Sequence, residues 1–214
     1  GVDSSAGWNP IGDNTAKFTG IFSGNGNKIS GLWINRTSTD YVGLFGYTQN
    51  AQIKNIGVEA SEIRGNIFVG GIAGIIYHSS SVANSYSTGS IFGNTHVGGI
   101  AGNPYDNSNV TNSYSTANVS GNNYVGGIAG YVYGSSSVTD SYSTGTISGD
   151  YVGGIAGVVE SSSAVTNNAA INPSVTGTSG VNRVVGYIYS STVTNNFALG
   201  SMSGKFLRRQ RGNI

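Results

Sequence analysis

Residues able to do acid–base or ligand chemistry are few here. The nine carboxylates are Asp3, Asp13, Asp40, Glu59, Glu62, Asp106, Asp140, Asp150 and Glu160, and the two histidines are His78 and His96. The acids recur in similar contexts: Asp40 and Asp150 both precede a Tyr-Val-Gly block, and Asp106 and Glu160 occupy nearly the same loop two repeats apart. A carboxylate pair for glycoside chemistry needs its members roughly 5–9.5 Å apart. The histidines stand 18 residues apart with no Cys, His or acid at ligand spacing, so no metal site is expected. With no cysteine, thiolate ligands, disulfides and a cysteine nucleophile are excluded. Gly24-Asn-Gly26 and Gly200-Ser-Met-Ser-Gly204-Lys205 lack the spacing and the strand–turn–helix setting of a phosphate loop. Asn35-Arg-Thr37, Asn109-Val-Thr111 and Asn118-Val-Ser120 match the glycosylation sequon, as a chain rich in Asn and Thr does by composition alone. Neither a catalytic residue nor a cofactor is expected.

Composition bounds the elements that must position these residues. Thirty-five glycines in 214 residues and only 9% charged side chains argue against a helical bundle, while recurring Val, Ile and Tyr argue against disorder. The net charge is +1, and Lys205, Arg208, Arg209 and Arg211 crowd into the last ten positions. Six basic residues remain against nine acids in the body, so there is no basic stripe and no nucleic-acid partner is expected. No apolar run approaches the ~18 residues of a membrane span. Gly1, without a Met start or signal pattern, is expected to begin a processed or excised piece.

Self-similarity decides the fold class. Val69-Gly-Gly-Ile-Ala-Gly74 returns at Val97–Gly102, Val125–Gly130 and Val152–Gly157, at offsets of 28, 28 and 27, with variants at Val42–Gly46 and Val184–Tyr189. A second block, Val82-Ala-Asn-Ser-Tyr-Ser-Thr88, returns at Val110–Thr116 and Val138–Thr144, with weaker copies from Ile29, Ile53, Val165 and Val193. A unit this short cannot bury a core alone and must stack on its copies. The prediction is an all-β, right-handed parallel β-solenoid of about seven coils. Residues 1–28 would cap it, 29–199 would form the repeats, and 200–214 would make a basic tail. At ~4.8 Å per coil, Asp40 and Asp150 lie about 19 Å apart and Asp106 and Glu160 about 10 Å. Both pairs fall outside the catalytic window.

Within the second block, period-two alternation assigns directions. Leu32, Ile56, Ser85, Ser113, Ser141, Asn168 and Asn196 should face inward, as should Ile34, Val58, Ser87, Ser115, Ser143, Ala170 and Ala198. Inward serines require hydrogen-bond partners. Between them, outward, stand Tyr86, Tyr114 and Tyr142, with Trp33 and Phe197 extending the row. Asn55, Asn84, Asn112, Asp140, Asn167 and Asn195 mark a corner, where Asn tolerates the left-handed region. A second aromatic row reads Tyr41, Phe68, His96, Tyr124 and Tyr151, ending at Arg183. Thr111, Thr139, Thr166 and Thr194 form a hydroxyl row, and Thr88, Thr116 and Thr144 another. Stacked tyrosines can serve the sheet alone or bind a glycan or protein, and regular threonines can order water as an ice-binding face does. The candidate ligand-binding residues are therefore Tyr86, Tyr114, Tyr142, Thr111, Thr139, Thr166 and Thr194.

The blocks Gly43-Leu-Phe-Gly46, Gly71-Ile-Ala-Gly74, Gly99–Gly102, Gly127–Gly130 and Gly154–Gly157 resemble the GLUG motif, and the lead-in from Gly7-Trp-Asn-Pro-Ile-Gly12 is similar to that of GLUG arrays. The resemblance covers roughly residues 7–199. It implies an extracellular or cell-surface bacterial module: a non-catalytic stalk or adhesin-like segment. Its partners would be a surface glycan, a host or neighbouring-cell protein, or ice. A polysaccharide-active enzyme resting on Asp106 and Glu160 is the remaining alternative.

Overall fold

The computed structural model describes residues 5–200 together with the backbone of Val2–Asp3; the basic tail lies outside the described residues. Short strands stack in parallel into three sheets of sixteen, seven and six strands. Among the described residues, antiparallel pairing is confined to the first strands, Val2–Asp3 with Gly7–Trp8 and Gly7 with Ile34. The seven-stranded face runs from Ile21–Ser23 to Thr192–Thr194, and the six-stranded face from Phe45–Gln49 to Val185–Tyr189. The fold is an all-β parallel solenoid of about six turns, against the seven coils the repeats suggest. The difference sits at the N-terminal end, where only the isolated bridges Ile11↔Phe45 and Phe18↔Thr48 precede the six-stranded face.

Fixed period becomes a continuous core. Val69, Val97, Val125 and Val152 superpose with no solvent exposure, as do Ile72, Ile100, Ile128 and Ile155, and Val82, Val110, Val138 and Val165. The motif glycines let neighbouring coils approach. A Cβ on Gly99 would overlap the carbonyl oxygen of Gly127 and Oγ of Ser115. The Asn column turns the corner as expected: Asn55, Asn84, Asn112, Asp140, Asn167 and Asn195 have φ of 56°, 51°, 47°, 51°, 60° and 56°.

The inward serines are satisfied through a ladder. Ser85 N–H donates to Ser113 Oγ (3.3 Å) and Ser113 N–H to Ser141 Oγ (3.2 Å), while each hydroxyl donates to a carbonyl two residues back. Asn168 and Asn196 continue the ladder with their Oδ1 atoms. A second ladder, not anticipated from the sequence, links Ser80, Ser108, Ser136, Ser163 and Ser191 at 3.1–3.3 Å. Its signal is a serine at the repeat period, just before each Ser/Asn/Ala/Thr-Val pair.

The first copy needs a correction. Phe22, not Ile29, pairs with Ile53, and Ile29 pairs with Val58. The turn at Gly24–Asn27, closed by Asn27 N–H to Gly24 C=O (2.9 Å), inserts residues that shift everything after it. Trp33 consequently lies beside Glu62 and does not join the tyrosine row.

Candidate functional site: an aromatic trough beside the outward columns

The register brings the predicted columns together. Tyr86, Tyr114 and Tyr142 stack with centroids 5.0 and 4.8 Å apart and ring planes within 5° of parallel. The row then breaks at Ala169, which separates Tyr142 from Phe197. At its other end the Tyr86 ring covers Gly57, and its hydroxyl donates to Glu59 (3.2 Å), which also pairs with Lys28 (3.0 Å). Thr111, Thr139, Thr166 and Thr194 stand in register on the seven-stranded face, and Thr139 Oγ1 donates to Thr111 Oγ1 (3.2 Å).

Asp106 and Glu160 have separate partners. Asp106 pairs with His78 Nδ1 at 2.7 Å, and Glu160 accepts from the Tyr131 hydroxyl at 2.7 Å. They also occupy neighbouring columns: the two coil steps between them are 28 and 27 residues, while the acids are 54 apart, which sets Glu160 above Tyr133 and one position short of the Asp106 column. Among the described residues no group of three or more His, Cys, Asp or Glu could hold a metal ion.

The second aromatic row adopts an unusual backbone. Tyr41, Phe68, His96, Tyr124 and Tyr151 have φ of 59°, 59°, 56°, 56° and 46°. The left-handed region disfavours bulky side chains, and the solenoid's other corners, His78 apart, fill it with Asn, Asp, Ser or Gly. The row ends over Gly180, not Arg183: Val152 pairs with Val181, so Gly180 follows Tyr151, while Arg183 C=O accepts from Gly154 N–H. A 29-residue step at that coil shifts the register.

Across the next corner lies a row that sequence reasoning missed, Tyr77, Tyr105 and Tyr133, with centroids 5.3 Å apart at each step. Its recurrence at intervals of 28 is the signal that could have found it. Phe68, His96 and Tyr124 form one wall of a trough and Tyr77, Tyr105 and Tyr133 the other. Between them run positions 47, 75, 103 and 131, one per coil and two residues before the Tyr wall, hence on the same side of the strand. Tyr47 and Tyr131 fill the two outer positions; Ile75 and Asn103, shorter and nearly buried, leave the middle open.

Each end is closed by a ring that touches both rows. Tyr131 lies 5.2 Å from His96 and 5.7 Å from Tyr133, and Tyr47 lies 5.0 Å from Tyr41 and 5.9 Å from Tyr77. The groove has a volume of about 600 Å³ and opens broadly to solvent. Asn103 donates through Nδ2 to the Tyr131 and Pro104 carbonyls (2.7 and 3.2 Å). Burial pushes the His96 imidazole down to about 4, so it is neutral at pH 7. Burial, then the Glu160 carboxylate beside it, raises the Tyr131 phenol well above its ordinary value.

A stack of in-register parallel coils with glycine-cleared contacts is a β-solenoid. Residues 93–120 and 121–148 each match the model of the GLUG motif, and the chain carries GLUG-motif repeats. It is 45% identical over 58 residues to a protein of Evansella cellulosilytica named as a Gly-rich membrane protein, covering 27% of this chain and 7% of that one. It is 35% identical over 93 residues to halomucin of Haloquadratum walsbyi, covering 42% of this chain and 1% of that protein. The chain thus spans a small fraction of the length of these curated relatives. A crystal structure from Bacteroides ovatus, assigned by name alone as an immunoglobulin A1 protease, superposes with a TM-score of 0.73. The match covers 96% of this chain and 67% of that one at 24% identity, a likeness of fold. Among the described residues no helix is long and apolar enough to cross a membrane.

Proposed function

We propose that the chain is a non-catalytic rod segment of a bacterial secreted or cell-surface protein, serving as a stalk that presents its outward columns to a partner. The observation that carries this reading is the uninterrupted register of the seven-stranded face, in which each coil bonds only to the coils beside it. Such an array extends or shortens by whole coils without redesign, as a spacer requires. The relatives' names, a membrane protein and a halomucin, support placement at the cell surface. The separate partners of Asp106 and Glu160 support a role without catalysis.

Removing one repeat, residues 110–137, joins coils in register. The expected product folds cooperatively and is shorter by about 4.8 Å in small-angle scattering. Global unfolding would overturn the modular rod. An epitope placed at Ser161–Ser162 should be labelled on intact cells; labelling only after permeabilisation would overturn the surface assignment.

A further inference from the structure

The tyrosine and threonine columns run on across several coils, but the aromatic trough is local. It is two coils long, flanked by a row of rings on each side and bounded by a ring at each end, and it opens broadly to solvent. We infer that the trough between the His96 and Tyr105 rows is a binding site for a short neutral oligosaccharide. This deepens the reading of the chain as a binding surface and rests on it. The repeat-deletion result stands whatever the trough binds, so the two ideas fail separately.

Four observations converge on that ligand. The first is size: the volume of about 600 Å³ falls within the ordinary range of small-ligand sites, ~300–1,000 Å³. The two open coils between the Tyr47 and Tyr131 rings span about 10 Å, which suits about two sugar rings. The second is the lining, in which aromatic faces make both walls and phenol hydroxyls and the Asn103 amide supply the polar groups. A pyranose carries the matching pattern, with C–H faces that lie against rings and hydroxyls around its edge.

Charge is the third. No lysine, arginine, aspartate or glutamate lines the trough. The nearest acids are occupied, Glu160 by Tyr131 and Asp106 by His78. An uncharged lining matches an uncharged ligand; the Lys17 ammonium at its edge is engaged over the Tyr47 ring, 5.0 Å from the centroid, and by the Asn14 carbonyl.

The fourth is backbone cost. Phe68, His96 and Tyr124, like Tyr41 and Tyr151 in the same row, hold their rings from the left-handed region, where the chain's other corners, His78 apart, place small polar residues or glycine. Residues kept in that region cluster at ligand clamps.

The position that opens the trough also supplies the test. Tyrosine stands there naturally at Tyr47, Tyr131 and Tyr187, so Ile75→Tyr should fold and fill the space. Purified chain would be titrated calorimetrically with short neutral gluco-, manno-, galacto- and N-acetylglucosamine oligosaccharides. A uronate, a sialylated oligosaccharide and a Pro-rich peptide form the competing arms. Tyr105→Ala, which removes the centre of one wall, is the second variant, and Gln52→Ala, exposed on the seven-stranded face, is the control. The expected result is binding of a neutral oligosaccharide that weakens by about tenfold or more in Ile75→Tyr and in Tyr105→Ala and is kept in Gln52→Ala. The site is overturned if no neutral saccharide binds or if only a charged saccharide or the peptide does. It is also overturned if binding survives both trough variants or disappears in Gln52→Ala.

Discussion

Substituting Ser113 by alanine isolates what the buried serine ladder contributes. Ser113 Oγ accepts from Ser85 N–H (3.3 Å) and donates to Thr111 C=O (2.8 Å), with both serines nearly inaccessible to solvent. Removing the hydroxyl leaves the two carbonyl lone pairs of Thr111 in different circumstances from the Ser85 donor. Thr111 C=O still accepts from Asn84 N–H at 3.2 Å, so it remains bonded. Ser85 N–H has no second acceptor and becomes a buried, unpaired donor. That costs about 1–3 kcal/mol. For a chain of this length each kcal/mol moves the melting midpoint by about 2–4 °C, so a mid-range loss of about 2 kcal/mol lowers it by about 4–8 °C. The assay is thermal unfolding followed by circular dichroism. Amide exchange at Ser85, whose protection should fall with the midpoint, locates the effect. Asn109→Ala, which removes only an exposed hydrogen bond accepted from Ser137 Oγ (2.8 Å), should change stability by no more than about 0.5 kcal/mol. Equal midpoints for the two variants, with unchanged protection at Ser85, would refute the assignment of stability to the ladder.

Two further outcomes follow from the geometry. Gly99→Ala should prevent native stacking, because its Cβ would overlap the Gly127 carbonyl and Ser115 Oγ; Gly200→Ala, with open space around it, should be silent in the same melting experiment. His96 is held at about 4 in the fold against an ordinary value of 6.5. The unfolded chain therefore binds the extra proton between those values, and stability is full above pH 6.5 and falls as pH drops towards 4. The difference corresponds to a loss of about 3 kcal/mol at ~1.36 kcal/mol per pH unit. His96→Phe, matching Phe68 one coil away, should flatten denaturant midpoints across that window; an unchanged slope would show that His96 does not set it.

The sequence by itself determined the architecture. A period of 28 places each residue above its copy, and a column of Val, Ile, Asn, Ser or Tyr can then be read without coordinates. The corner asparagines, the inward serines and the Tyr86–Tyr114–Tyr142 stack were legible for that reason, as was the GLUG motif. Where the period slips, only the folded chain decides the register. The Gly24–Asn27 turn made Phe22 the first column member in place of Ile29, because alternating apolar residues at both places fit the same pattern. The 29-residue step after Tyr151 likewise set Gly180 where Arg183 was expected.

The trough required tertiary structure for a different reason. Its two walls belong to strands on either side of a corner, and a period fixes what lies above a residue but not what lies beside it. The angle at the corner brings His96 towards Tyr131 and leaves Ile75 and Asn103 as the floor between two rows of rings.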